Sequence, residues 1–180
     1  MLINIKHILV LLLMSIDYLS TQNPAKIQPV TDECDSITLL AIQDFTVGDA
    51  AGYVPYYIHT SRDALAVDAS KYKGDFALAE HTFKGVPETY NVRITTLSED
   101  DGESYYRLML NDKLIGEVQN TPDSKNFAEQ NHSFNQIELK NGDIIGVAFN
   151  AHTNGKIPEG ETTAYSRGRW THLTLVPLCD

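Results

Sequence analysis

Tyr165-Ser166-Arg167-Gly168-Arg169-Trp170 sets two aromatic rings and two guanidinium groups within one short run, and it holds the only tryptophan of the chain. Those side chains suit sugar recognition. A flat ring covers the C–H side of a pyranose, while planar polar groups hydrogen-bond its vicinal hydroxyls. The run closes a polar, Gly-punctuated excursion that begins at Asn150 and also carries His152, Asn154, Glu159 and Glu161. The expected ligand-binding set is therefore Trp170, Arg169, Arg167, Tyr165, Glu159, Asn154 and His152. Arginines on either side of Gly168 also fit a carboxylate or sulfate of an anionic polysaccharide, because guanidinium pairs such groups bidentately. The competing expectation is that they pair internally with Glu159 or Glu161.

Catalytic chemistry finds no comparable pattern. The sequence contains no Gly-x-Ser-x-Gly elbow, no His-Glu-x-x-His helix and no phosphate-cradling glycine loop. Its histidines show no ligand spacing. Glu159 and Glu161 would share a face on a strand, as an acid/base pair for glycoside hydrolysis requires, but no second element fixes them. No catalytic residue is assigned.

These groups must be positioned by strands. Trp170 to Val176 alternates, which places Leu173 and Leu175 on one face and Trp170, His172 and Thr174 on the other, so Trp170 is expected to be exposed. A bulge at Gly168 would reset that register and turn the ring into the core. Tyr90, Val92 and Ile94 alternate against Asn91, Arg93 and Thr95; Tyr106, Leu108 and Leu110 do the same. Asn111-Asp112 predicts a hairpin from Tyr105–Leu110 into 113–119, and Asn141-Gly142 predicts another from 136–139 into 144–149. Ile37 to Val47 supplies a first strand. The stretch from Gly48 to Gly74, with Tyr53, Tyr56 and Tyr57, reads as a long loop or a pair of irregular strands. The outward residues Asn91, Arg93, Tyr105 and Arg107 form a second candidate surface if their strands share a sheet. No helical period of useful length survives, and the fold class is all-β: an antiparallel β-sandwich.

Lys6, the apolar run Ile8–Met14 and a polar exit form the pattern of a secretory signal peptide, too short to span a bilayer. The expected organisation is a signal peptide over 1–21, a polar linker over 22–33 and one domain over 34–180. Export to an extracellular or periplasmic compartment makes a disulfide the expected state of the two cysteines, Cys34 and Cys179. Closing so long a loop is worth about 4 to 5 kcal/mol. The formal charge of −10 argues against nucleic acid or an anionic membrane as partner.

Several segments together resemble the jelly-roll carbohydrate-binding modules appended to polysaccharide-degrading enzymes, which have a galactose-binding-like β-sandwich. Leu40-Ala41-Ile42-Gln43-Asp44-Phe45 is similar to their first strand. Thr82-Phe83, Tyr90-Asn91-Val92-Arg93-Ile94 and Tyr106-Arg107-Leu108-Met109-Leu110-Asn111-Asp112-Lys113 are similar to their middle. The resemblance covers most of residues 36 to 177. It implies a non-catalytic, lectin-like module that binds a polysaccharide or glycan. The alternatives are an extracellular protein-binding or adhesion domain and a small glycan-active enzyme. Such modules often hold a structural calcium through acidic residues of the first strand and an Asp of the last. Here Gln43 and Asp44 stand against Thr171 and His172, so calcium is left open. Glu99-Asp100-Asp101-Gly102-Glu103 offers further oxygens but reads as a solvated turn.

Overall fold

The computed structural model describes residues 35–178; the expected signal peptide, the linker, Cys34 and Cys179 lie outside the described residues. In chain order the strands are β1 (Ile37–Leu40), β2 (Thr46–Val47), β3 (Tyr56–His59), β4 (Ala64–Val67), β5 (Phe76–Thr82), β6 (Glu88–Leu97), β7 (Tyr105–Leu110), β8 (Lys113–Gln119), β9 (Glu129–Leu139), β10 (Ile144–Asn150), β11 (Pro158–Glu159), β12 (Thr162–Thr163) and β13 (Trp170–Pro177). One helical turn, α1 (Ala41–Asp44), follows β1, and a 3-10 turn (Thr60–Arg62) joins β3 to β4.

Two antiparallel sheets face each other across one apolar core. The six-stranded sheet runs β3-β4-β13-β6-β9 with β1 also paired to β13, and the five-stranded sheet runs β2-β5-β10-β7-β8. Alternation explains the core. Tyr90, Val92 and Ile94 of β6 meet Tyr106 and Leu108 of β7 and Ile145, Val147 and Phe149 of β10, all at 1% exposure or less. On the outer side of β10, Gly146 and Ala148 are small where the inner residues are large.

The first strand is interrupted for a reason. β1 belongs to one sheet and β2 to the other, and α1 is the step between them. Asp44 turns its carboxylate back to accept the Leu40 N–H at 2.6 Å. The expected hairpin at Asn111-Asp112 is present, and both turn residues have positive φ (49° and 63°), the conformation a tight two-residue hairpin turn needs.

The second expected hairpin is not one. β9 pairs with β6, whereas β10 pairs with β5 and β7 in the opposite sheet. The Asn141-Gly142 turn therefore carries the chain across the sandwich. Gly142 supplies the positive φ (94°), and the Asp143 carboxylate accepts the Lys140 N–H at 2.8 Å.

Candidate functional site

Gly168 fixes how the excursion enters β13. Its φ is +59°, and a Cβ there would lie 2.4 Å from the Asn150 carbonyl oxygen, so both conformation and space demand glycine. On either side the backbone is tied down: Val67 N–H donates to the Arg167 carbonyl at 2.8 Å and Leu97 N–H to the Arg169 carbonyl at 2.9 Å.

The expected exposure of Trp170 is corrected. The pairing of β13 with β6 shifts register between Trp170 and His172, a bulge that puts Trp170 on the same side as Leu173 and Leu175. The ring is fully buried. It meets Phe45 edge-on at 4.9 Å and Phe149 at 6.0 Å. Its indole N–H has no acceptor among the described residues.

Arg169 is also internal. Its guanidinium donates to Oε2 of Glu99, its Nε–H donates to Nδ1 of His59 at 2.8 Å, and its charge lies 5.2 Å from the Phe127 ring centroid. Glu99 accepts a second bond at Oε1 from the Arg167 N–H at 2.9 Å. Burial pushes the Glu99 carboxyl above its ordinary value, against the pull of Arg169. Burial, and then the charges of Arg169, Arg62 and Arg167, hold His59 below the usual imidazole value. Arg169 thus pairs internally, but with Glu99 and not with Glu159 or Glu161.

The acidic run from Glu99 to Glu103 is a turn, but only Asp100 of it is exposed. Asn154 clasps it: the side-chain amide donates to the Asp100 carbonyl at 3.1 Å and to the Glu103 carboxylate at 3.2 Å. Gly102 passes so near the His152 carbonyl that a Cβ would sit at 1.9 Å. His152 packs edge-on to Tyr105 at 5.0 Å, and Ser104 and Ser166 share a buried hydroxyl contact at 2.5 Å. His152 and Asn154 therefore hold loop to loop. Glu159 and Glu161 stand exposed on the small β11–β12 hairpin, on either side of Gly160. Tyr165 is half-buried beneath the Lys73 ammonium, 5.0 Å from its ring centroid.

An open cleft lies at this same end. Pro55, Tyr56, Tyr57, Asp68, Lys71 and Tyr72 line a cavity of about 390 Å³. β3 supplies Tyr56 and Tyr57, Pro55 directly precedes it, and the loop after β4 supplies Asp68, Lys71 and Tyr72. Tyr56 is braced by Phe149 at 5.9 Å, whereas Tyr57 is exposed. Asp68 accepts Ser70 Oγ at 2.6 Å and faces Lys71 Nζ at 3.2 Å, and those contacts hold its carboxyl below the usual range. The cleft adjoins the excursion because Val67, one residue before Asp68, bonds the Arg167 carbonyl. The cluster of tyrosines after Gly52 is visible in the sequence, whereas its partner Tyr72 is brought to it by an irregular loop.

The second candidate surface divides. Asn91 and Arg93 belong to the six-stranded sheet and Tyr105 and Arg107 to the five-stranded one, so the two pairs lie on opposite faces. Arg107 sits over Phe76 at 3.7 Å and pairs with Glu117 at 2.6 Å.

For calcium, Gln43, Thr171 and His172 do line one cleft of about 380 Å³, together with Arg62, Asp63 and Glu129. The Asp44 carboxylate is turned to its own backbone. Calcium takes about six to eight oxygen ligands, yet among the described residues no three His, Cys, Asp or Glu side chains come together as a metal set. A guanidinium stands in this cleft, and another occupies Glu99.

No family model matches the chain. It is 24% identical over 165 residues to the uncharacterized protein P23 of Formosa agariphila, which covers 89% of this chain but 36% of that protein, so the chain spans little more than a third of the relative's length. Among solved structures, the CBM36-1 domain of a multidomain xylanase from the hindgut metagenome of Trinervitermes trinervoides superposes with a TM-score of 0.50 at 9% identity, over 81% of this chain and 100% of that one. The fold is that of a jelly-roll carbohydrate-binding module. A second module of this fold, CBM36 in complex with calcium and xylotriose, gives a TM-score of 0.47 at 12% identity over 77% of this chain and 97% of that one. At such identities the likeness to carbohydrate-binding modules is one of fold.

Proposed function

We propose that the chain is a non-catalytic carbohydrate-binding module that recognises a polysaccharide or glycan, and that its recognition surface is the tyrosine cleft. The observation that carries this reading is the cleft itself: the rings of Tyr56, Tyr57 and Tyr72 share one open cavity with the Asp68–Lys71 ion pair. Rings offer faces to the C–H side of a sugar, and the fixed charged pair offers acceptor and donor to neighbouring hydroxyls. Tyr165 and Arg167 are tied to residues next to the cleft, Tyr165 through Lys73 and Arg167 through Val67; His152, Asn154 and Arg169 hold loops in place. A module of this kind works outside the cell or in the periplasm, where the apolar run near the N-terminus would direct it. Pull-down on a panel of insoluble polysaccharides tests the proposal. Retention by at least one polysaccharide that is lost in Tyr57→Ala and Tyr72→Ala supports it; equal retention of both variants contradicts it.

A further inference from the structure

The cationic side chains are unevenly placed on this acidic chain. Arg62, Lys71, Lys73, Arg167 and Arg169 all lie on the β3–β4 connection, the loop after β4 or the approach to β13. Two of them are spoken for: Arg169 by Glu99 and Lys71 by Asp68. Arg62 and Arg167 form no ion pair among the described residues. Arg62 is exposed, with its guanidinium 4.1 Å from the Phe127 ring centroid. A guanidinium held by its face keeps the N–H donors of its rim for a ligand. Arg167 commits its backbone N–H to Glu99 and its carbonyl to Val67, leaving its side chain half-exposed. Asp101 feels the charge of Arg167 without bridging to it.

His59 feels the charges of Arg169, Arg62 and Arg167. Its Nδ1 accepts the Arg169 Nε–H, so the ring proton is on Nε2, which faces Ser61 Oγ at 3.2 Å. Ser61 therefore accepts from His59 and has its own hydroxyl proton to give. Ser61 precedes Arg62, and the His59 ring lies 6.4 Å from that of Tyr57, which lines the cleft.

We propose that Arg62, Arg167 and the Ser61 hydroxyl form a subsite for an anionic sugar unit, carboxylated or sulfated, next to the unit held by the tyrosine cleft. The subsite rests on the cleft reading and adds the ligand's charge to it. Both ligand sources present a planar or trigonal set of anionic oxygens that guanidinium groups meet through paired N–H donors.

Calorimetric titration of the whole chain with four probes tests the proposal: tetragalacturonic acid, its methyl ester, a sulfated carrageenan tetrasaccharide and its desulfated counterpart. At least one anionic probe is expected to bind about tenfold tighter than its neutral partner, with the preference falling as salt rises. The acid or the sulfate being the tighter ligand identifies the source. Arg62→Met with Arg167→Met is expected to abolish the preference, so that charged and neutral partners bind that variant equally, while Arg62→Lys keeps part of it; a melting curve shows that each variant is folded. Equal binding of charged and neutral partners by the wild type, or an undiminished preference in the folded double variant, overturns the subsite while the cleft stands. Binding of none of the four also overturns it, and the polysaccharide pull-down with the tyrosine variants then judges the cleft separately.

Discussion

Arg169 and Glu99 form an ion pair in which each side chain is only 5% exposed, and it ties the approach to β13 to the loop after β6. Because His59 and the Arg167 N–H complete it, one buried pair joins β3, that loop and the excursion. Removing a single partner of such a pair leaves a charge in the interior. Glu99→Gln is therefore expected to cost about 3 to 5 kcal/mol, read from urea denaturation. A loss within the range of an exposed pair, under about 1 kcal/mol, would show that the pair is not buried in solution.

Trp170 is the chain's only tryptophan and is fully buried against Phe45 and Phe149. Its fluorescence is expected to be blue-shifted and poorly quenched by acrylamide, and saccharide should leave it unchanged. Trp170→Ala should destabilise the protein by about 3 to 5 kcal/mol through the cavity left behind, whereas Trp170→Phe should retain saccharide binding. Emission typical of a solvated indole would contradict this packing.

Two glycines with nearly the same φ separate strain from crowding. Gly160 (+60°) has open space around the position of a Cβ, whereas Gly168 (+59°) has the Asn150 carbonyl at 2.4 Å. Gly160→Ala should cost about 1 to 2 kcal/mol, the price of a left-handed alanine. Gly168→Ala should cost clearly more in the same denaturation assay, and equal losses would refute the close approach.

Stability should depend on histidine titration. Burial is the first cause holding His59, His132 and His172 below 6.5 in the folded protein. The unfolded chain then binds protons first. Their contribution is fully present above the ordinary value near 6.5 and is lost as pH falls from there through the depressed folded values. Glu99 and Asp101, raised by burial, act with the opposite sign as pH falls through their raised values. Comparing wild type with His132→Gln between pH 7.5 and 5.5, values at about one unit either side of the ordinary imidazole, isolates the histidine. The wild type should lose more stability than the variant over that interval; parallel losses would contradict the assignment.

Much of the sandwich was legible because period-two alternation survives wherever one face is buried: Tyr90, Val92 and Ile94 read correctly, as did Tyr106 and Leu108. Two features escaped for physical reasons. Asn141-Gly142 shows that a tight turn exists but not whether the strands it joins share a sheet, and here they do not. The bulge after Trp170 adds one residue to the register, enough to exchange the faces of every residue before it. Of the residues the excursion offered, His152 and Asn154 serve the loops, packing on Tyr105 and clasping the acidic run. The cleft depends on Tyr72 meeting Tyr56 and Tyr57 through a loop without periodicity, which no pattern in the chain announces.

The most direct test of the carbohydrate-binding account is a side-chain NMR titration with a polysaccharide-derived oligosaccharide that the pull-down selects. The account predicts shifts centred on the rings of Tyr56, Tyr57 and Tyr72, with the indole of Trp170 and the Arg107–Phe76 face unmoved. Shifts centred on the Arg107–Phe76 face, or on the indole, would contradict it.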